Sequence, residues 1–354
     1  MTGDSQQVRE RQGIFRTLGA IAETSAQKIP ARLTEAFAAD AVWHGSHPLN
    51  DVKGADAIAA TVWSPLRTAF PDLERRDLIF VGGNYQGREL IAAMGHYCGT
   101  FRHDWLTIPA TGRFAMLRYG EVHRTVGGRI VETWGLWDLL DLMRQAGVWP
   151  IGSSLGVEGL WPGPITGDGI VLHQTDSVQG AANLAQTLAM HQTLLAYDDL
   201  AGLGRQGLQD MPQKQHWHQR MMWYGPAGIG STRGLDGFID DHQLPFRTAF
   251  PLSKSIPPVS PSDQAGHGTR IGEGAYSVTG GWPSRRMRHF GGGFLGLGPT
   301  GREIDMRVMD FYLHYEGLIR ENWVPIDIID VLRQMDVDVF ARMRALTKGR
   351  RIES

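Results

Sequence analysis

The 354-residue chain carries Lys+Arg 35 against Asp+Glu 37, and with no basic stretch it lacks the footprint of a nucleic-acid binder. Its apolar share of 42% is that of a globular protein, and no run approaches the roughly 18 apolar residues of a membrane span. One cysteine, Cys98, excludes an internal disulfide and a cysteine zinc cage, and the polar start MTGDSQQVRERQG has no signal-peptide core, so a cytoplasmic protein is expected.

The first periodic segment, Gln6 to Thr24, reads as a helix. A strand containing Trp43 and His44 follows, then a short helix ahead of the turn Thr68-Ala69-Phe70-Pro71, then several strands. The stretch YGEVHRTVGGRIVETWGLWD (119–138) has two β-rich runs around Gly127-Gly128, a hairpin signal. Centring the turn there pairs His123 with Glu132 and Glu121 with Trp134, which puts all four side chains on one face. Asp138 then sits where an N-cap belongs, ahead of LLDLMRQ. Residues 149–180 are rich in Gly and Pro and read as a connector.

Beyond the connector the same order returns. A helix is expected over 181–197, with Leu184, Leu188, His191 and Leu195 near the helical period. KGADAIAATVWSPLRTAFP (53–71) recurs as RGLDGFIDDHQLPFRTAFP (233–251), with eight of 19 positions identical at an offset of 180. The same offset places Trp43 on Trp223 and Gly45 on Gly225. Residues 112–145 match 301–334 at an offset of 189, including Glu132/Glu321, Trp134/Trp323, Asp138/Asp327 and Gln145/Gln334. The nine extra residues fall most simply in SKSIPPVSPSDQAGHG, a loop. Because the matches keep their order and spacing, the chain is read as a duplicated domain. Its parts are 1–148, a linker 149–180, and 181–354. In the second hairpin, MDFYLHYEGLIRENWVP, turn-centred pairing sets Tyr312 with Glu321 and Asp310 with Trp323. Helices gathered on one side of a curved antiparallel sheet make each copy an α+β domain.

TIPATGR (107–113), the run Gly128-Arg129-Ile130 with Glu132, Trp134 and Asp138, and the short helix that follows resemble the SnoaL-like polyketide cyclases. These belong to the wider nuclear transport factor 2-like, or cystatin-like, fold. LGPTGR (297–302), EGLIRENWVPID (316–327) and MMWYGPAGIGSTRG (221–234) carry the resemblance into the second copy. It implies two tandem cone-shaped α+β barrels, each a curved sheet wrapped around helices over an apolar pocket. It also implies ring closure by aldol condensation without metal or organic cofactor, with a His and an Asp on adjacent strands doing the acid–base work. The His position falls on Glu121 and Asp310, and the Asp position on Gly135 and Val324, so neither copy has both partners.

The residues themselves offer Glu121, His123 and Asp310 as catalytic groups, since an enolate-forming reaction needs a base and an oxyanion donor. Trp43, His44, Glu132 and Trp134 in the first copy, and Trp223, Tyr224, Tyr312, Glu321 and Trp323 in the second, are expected to line the substrate pockets. Such groups fit a cofactor-independent enzyme that cyclises, isomerises, hydrates or dehydrates a hydrophobic carbonyl compound. The alternatives are a binding or scaffold protein that kept only the pocket, and a division of labour between the copies. His44-x-x-His47 and His216-x-His218 have no clustered third ligand, so no metal is expected. The outward faces of the hairpins, Met309, Phe311, Leu313, Val324 and Ile326 against Gly120, Val122, Val131, Thr133 and Gly135, suggest an intramolecular pseudo-dimer, with a homo-oligomer as the alternative.

Overall fold

The computed structural model describes residues 2–196, 204–251 and 267–348. The chain divides into two compact units. Met1–Trp149, Pro162–Thr175 and Phe340–Ser354 form unit 1, and Pro150–Trp161 with Asp176–Val339 form unit 2. The inserted segment SKSIPPVSPSDQAGHG lies almost wholly outside the described residues. No helix among the described residues is long and apolar enough to cross a membrane.

Unit 1 opens with helices α1 (Thr2–Glu23) and α2 (Ile29–Ala36). Strands β1 (Phe37–Gly45) and β2 (Asp51–Lys53) follow. Helices α3 (Ala55–Ile58) and α4 (Ser64–Ala69) are joined by a π turn, Ala59–Trp63. Four long strands complete the sheet: β3 (Glu74–Tyr85), β4 (Arg88–Thr100), β5 (Phe114–Val126) and β6 (Arg129–Trp137). Helix α5 (Leu139–Gln145) ends the unit's main run. The six strands run β2-β1-β6-β5-β4-β3, antiparallel except that β1 and β6 are parallel.

Unit 2 repeats this order with α6 (Ser177–Ala196), α7 (Gly204–Asp210), β7 (Trp217–Tyr224), β8 (Ser231–Arg233), α8 (Gly234–Phe238), a π turn, α9 (Leu244–Ala249), β9 (His267–Glu273), β10 (Tyr276–Arg288), β11 (Glu303–Tyr315), β12 (Leu318–Trp323) and α10 (Ile328–Gln334). A last helix, α11, spans Val339–Thr347. The sheet order is β8-β7-β12-β11-β10-β9, strand for strand that of unit 1. Each unit is therefore an α+β domain with a six-stranded mixed sheet, and Trp134 and Trp323 occupy equivalent strands.

Residues identical between the copies make the same joints twice. Asp138 caps α5 by accepting from the Asp141 N–H, and Asp327 caps α10 through the Asp330 N–H. Gln145 exchanges two hydrogen bonds with the Met116 backbone, as Gln334 does with Asp305. Arg67 donates to the carbonyls of Thr24 and Phe70, while Arg247 reaches the Leu194 carbonyl. Each arginine so ties the helix before its TAFP turn to the end of its unit's long first helix. Within each unit, part of the segment expected to link the copies adds to a sheet edge. Ile170 bridges Phe80 of β3, and Val157 bridges Ser231 of β8. Gly169 permits the first approach, since a Cβ there would lie 2.1 Å from the Leu78 carbonyl oxygen.

The hairpin registers differ from the turn-centred expectation. Val126 pairs with Arg129 and Thr125 with Ile130, as the Gly127-Gly128 turn requires. The register then shifts, so that Arg124 pairs with Glu132, His123 with Thr133, Val122 with Trp134 and Glu121 with Gly135. Val131 is the extra residue of a β-bulge, and one extra residue moves every later pairing by one. Unit 2 repeats the device with Arg320: Leu313 pairs with Glu321, Tyr312 with Asn322 and Phe311 with Trp323. Glu121 and His123 therefore do not share a face with Glu132 and Trp134. Nor do Asp310 and Tyr312 share one with Glu321 and Trp323, and Thr133 and Gly135 leave the face expected to point outward.

Replacing Asp138 or Asp327 by Ala should cost about 1–2 kcal/mol each, measured by urea denaturation, because each change removes a helix cap. Unchanged midpoints in both variants would contradict the shared role of these caps.

Candidate functional site

In unit 1 the register line Phe80, Ala93, Glu121, Gly135 lies under the helices, for Phe80 packs edge-on against Phe15 of α1 at 5.1 Å. Glu121 is fully buried. Its Oε1 accepts from the Tyr97 hydroxyl at 2.8 Å and from the Trp137 indole at 2.9 Å. Its Oε2 accepts from Arg75 at 2.7 Å, and His123 Nε2 stands 3.3 Å away without good hydrogen-bond geometry. Arg75, also with no exposed side chain, is held on its other edge by Asp77 at 2.8 Å, and Tyr119 donates to Asp77 at 2.5 Å. Burial works to raise the Glu121 pKa, but Arg75 and His123 more than offset it and hold the carboxyl well below the usual carboxylate range. Around this pair Trp43, Trp63, Tyr97, Trp105 and Trp137 fill the space between helices and sheet, with centroids 5.3–6.2 Å apart.

Unit 2 places a different chemistry at the equivalent point. Asp310 accepts hydrogen bonds from Tyr312 and Asn322, and burial, only partly countered by them and by the Arg285 charge, pushes its pKa up to about 6. It keeps some contact with solvent, unlike Glu121. The Tyr312 hydroxyl lies 2.8 Å from His191 Nε2 on α6. Since the phenol has one proton and gives it to Asp310, its oxygen accepts from the imidazole N–H. Burial and the charges of Arg285 and Arg270 bring His191 down to about 4, so this ring is neutral at pH 7. Burial and the neighbouring Asp310 push the Tyr312 phenol well above its ordinary range. Trp217 packs 6.4 Å from Tyr312, and Phe238 links Trp217 to Trp223 at 5.8 Å from each.

The remaining sequence-derived candidates lie on the opposite faces of the two sheets. His44 stacks on Trp134 at 5.4 Å and bonds Asp51 at 2.8 Å and Glu132 at 3.2 Å. Burial lowers the His44 pKa, but these two carboxylates outweigh it and raise the ring overall. In unit 2 Tyr224 stacks on Trp323 at 5.3 Å and donates to Glu321 at 3.0 Å. Of the expected pocket residues, Trp43, Glu121 and His123 in unit 1 and Trp223, Asp310 and Tyr312 in unit 2 thus lie under the helices. Sequence reasoning missed Arg75, Tyr97 and Trp137 beside Glu121, and Asn322 and Arg285 beside Asp310. His191 had left a signal, a polar ring on the apolar stripe of a helix. Among the described residues no group of three or more His, Cys, Asp or Glu is placed to hold a metal ion.

Each unit is a helix-covered six-stranded α+β domain with an acid on a middle strand of its sheet. Residues 16–146 match the family model described as SnoaL-like polyketide cyclase, so unit 1 is similar to that family. Among solved structures it is similar to IdmH of Streptomyces antibioticus, a candidate polyketide cyclase, at 24% identity over 38% of this chain and 99% of that one, with a TM-score of 0.32. TsrD of Streptomyces laurentii is similar at 19% identity over 39% and 96%, TM-score 0.33. An NTF2-like protein of unknown function from Burkholderia pseudomallei follows at 21% over 41% and 97%, TM-score 0.28. Comparison with the curated proteins gives no match.

Breaking a buried ion pair from one side leaves a stranded charge, a loss of about 3–5 kcal/mol. Arg75→Met should therefore destabilise the protein by that order in thermal or urea unfolding. A near-neutral result would mean that Glu121 is not held as an ion.

Proposed function

We propose that the protein is a cofactor-independent acid–base enzyme acting on a hydrophobic carbonyl compound, with its chemistry in unit 2 and Asp310 as the base. The observation that carries this reading is an acid whose pKa of about 6 lies near neutrality, hydrogen-bonded to a phenol that a neutral imidazole supports. A base works best with a pKa near the working pH. Glu121, held far below that range by its donors, is a poor acceptor for a carbon-bound proton and serves unit 1 as a buried structural anion.

In the proposed reaction the Asp310 carboxylate takes the proton alpha to the substrate carbonyl. Before the transfer, Tyr312 and Asn322 hold the carboxylate charge. After it, the protonated acid needs the phenol less, and the Tyr312 hydroxyl turns to the enolate oxygen while His191 keeps its position. Proton return at carbon, aldol closure or loss of a leaving group then decides between isomerisation, cyclisation and dehydration. Trp217, Trp223 and Phe238 supply the apolar wall. Tyr224, Glu321 and Trp323, on the other face, have no contact with substrate in this scheme.

Exchange of the α-protons of 2-tetralone in D2O, followed by NMR, tests this reading without knowledge of the natural substrate. The rate should rise as pH passes upward through about 6, where Asp310 loses its proton. Asp310→Asn should lower it by about 100-fold or more, the usual scale for a general base. Glu121→Gln, assayed where its circular dichroism matches wild type, should change it by less than about threefold, as expected for a residue outside the proton transfer. Equal losses in both variants would move the chemistry out of unit 2, and no exchange above buffer would favour a protein that only binds.

A further inference from the structure

Resting on the reading of Asp310 as base, the charges around it point to the class of substrate. Register places Arg270 of β9 opposite Thr279 of β10, and Thr279 opposite Asp310 of β11. Residues directly opposite share a face, so the three stand abreast on the helix-facing side of the sheet, with Arg270 exposed on the edge strand. Neighbouring strands lie about 4.8 Å apart, which puts the Arg270 backbone only about 10 Å from that of Asp310. Farther along β10, past its irregularity, Arg285 lies opposite Met306 on the same face. The Arg285 charge acts on both Asp310 and His191, and that of Arg270 on His191. Both arginines make other interactions as well.

The Arg285 guanidinium thus acts on the carboxylate and, together with Arg270, on the neutral imidazole beside the phenol. Thr279 Oγ1 sits between Arg270 and Asp310 on a residue 6% exposed, near Tyr312 yet without a hydrogen bond of good geometry. A buried hydroxyl left without a partner costs roughly 1–3 kcal/mol, which a ligand atom would relieve.

We propose that the substrate carries a carboxylate beside its reacting carbonyl, held by Arg285 and Arg270 with Thr279 Oγ1 as a third donor. The guanidinium fork matches a carboxylate in two parallel hydrogen bonds. Bound there, the carboxylate leaves the rest of an aromatic or alicyclic skeleton against Trp217 and Tyr312, with Asp310 alongside. Unit 2 would therefore turn over cyclic or aromatic keto acids more efficiently than neutral ketones, which it still accepts.

The direct test is binding of benzoate and of its neutral isostere benzamide to the full chain, read by tryptophan fluorescence and by calorimetry at low salt. Benzoate should bind at least about tenfold more tightly, the scale of one charge-assisted hydrogen bond, and added NaCl should weaken it. Arg285→Met and Arg270→Met should each reduce the preference, and Arg285→Lys should retain part of it, which separates lost charge from lost folding. Benzamide binding as tightly as benzoate would overturn the proposal, as would an unchanged preference in the Arg270→Met/Arg285→Met double variant. Asp310→Asn should keep benzoate binding. If that variant also kept tetralone exchange, the base assignment would fail while the anion site stood.

Discussion

One extra residue in the strand after each hairpin turn governs the interior of both units. Val131 and Arg320 are accommodated as bulges, and each displaces all later cross-strand pairs by one position. The bulge leaves Glu121 and Asp310 under the helices while sending Glu132, Trp134, Glu321 and Trp323 to the other face. Had the registers run straight from the turns, each buried acid would have been paired with a tryptophan and a second acid. Instead each meets its own set of donors, and those donors decide what it can do.

The two sets give opposite electrostatic outcomes on one scaffold. Desolvation raises the pKa of a buried carboxyl by up to several units, so a charged partner is needed to keep it ionised. Arg75 supplies that partner to Glu121 Oε2 at 2.7 Å, and Tyr97 and Trp137 both donate to its Oε1. The result is a closed ion pair wrapped in aromatic rings. Asp310 has neutral donors as its hydrogen-bonding partners and only the longer-range field of Arg285, so desolvation wins and the acid stays near pH 6. Duplication thus kept the frame and let the acids diverge.

Much of the frame was legible because its joints are local or repeated. The Gly127-Gly128 turn, the Asp138 and Asp327 caps and the Arg67/Arg247 staples rely on residue types at fixed short spacings, and identity between the copies marked them. The interior chemistry was less legible. Bulge residues as ordinary as Val131 and Arg320 carry no Gly or Pro signal, so the face assignments beyond them went wrong. Arg75 meets Glu121 across 46 positions, and His191 meets Tyr312 across 121. Contacts of that separation arise from sheet order and helix docking, which no local pattern encodes. The 149–180 segment is an intermediate case: its Gly-rich composition reads as a connector and Trp149 and Trp161 suggest that it packs on a domain, but the sheet edges it meets, through glycines such as Gly169, have no local signal.

The central claim is that two equivalent acids titrate in opposite directions from their ordinary values. Carboxyl carbon-13 NMR of protein labelled at Asp and Glu side chains measures this directly, with Asp310→Asn and Glu121→Gln used to assign the two resonances. The account predicts an aspartate that titrates near pH 6, absent from the Asp310→Asn spectrum, and a Glu121 signal that keeps its ionised shift down to the lowest pH at which the protein stays folded. An Asp310 midpoint in the ordinary carboxylate range, or a Glu121 that takes up its proton before Asp310 does, would contradict it.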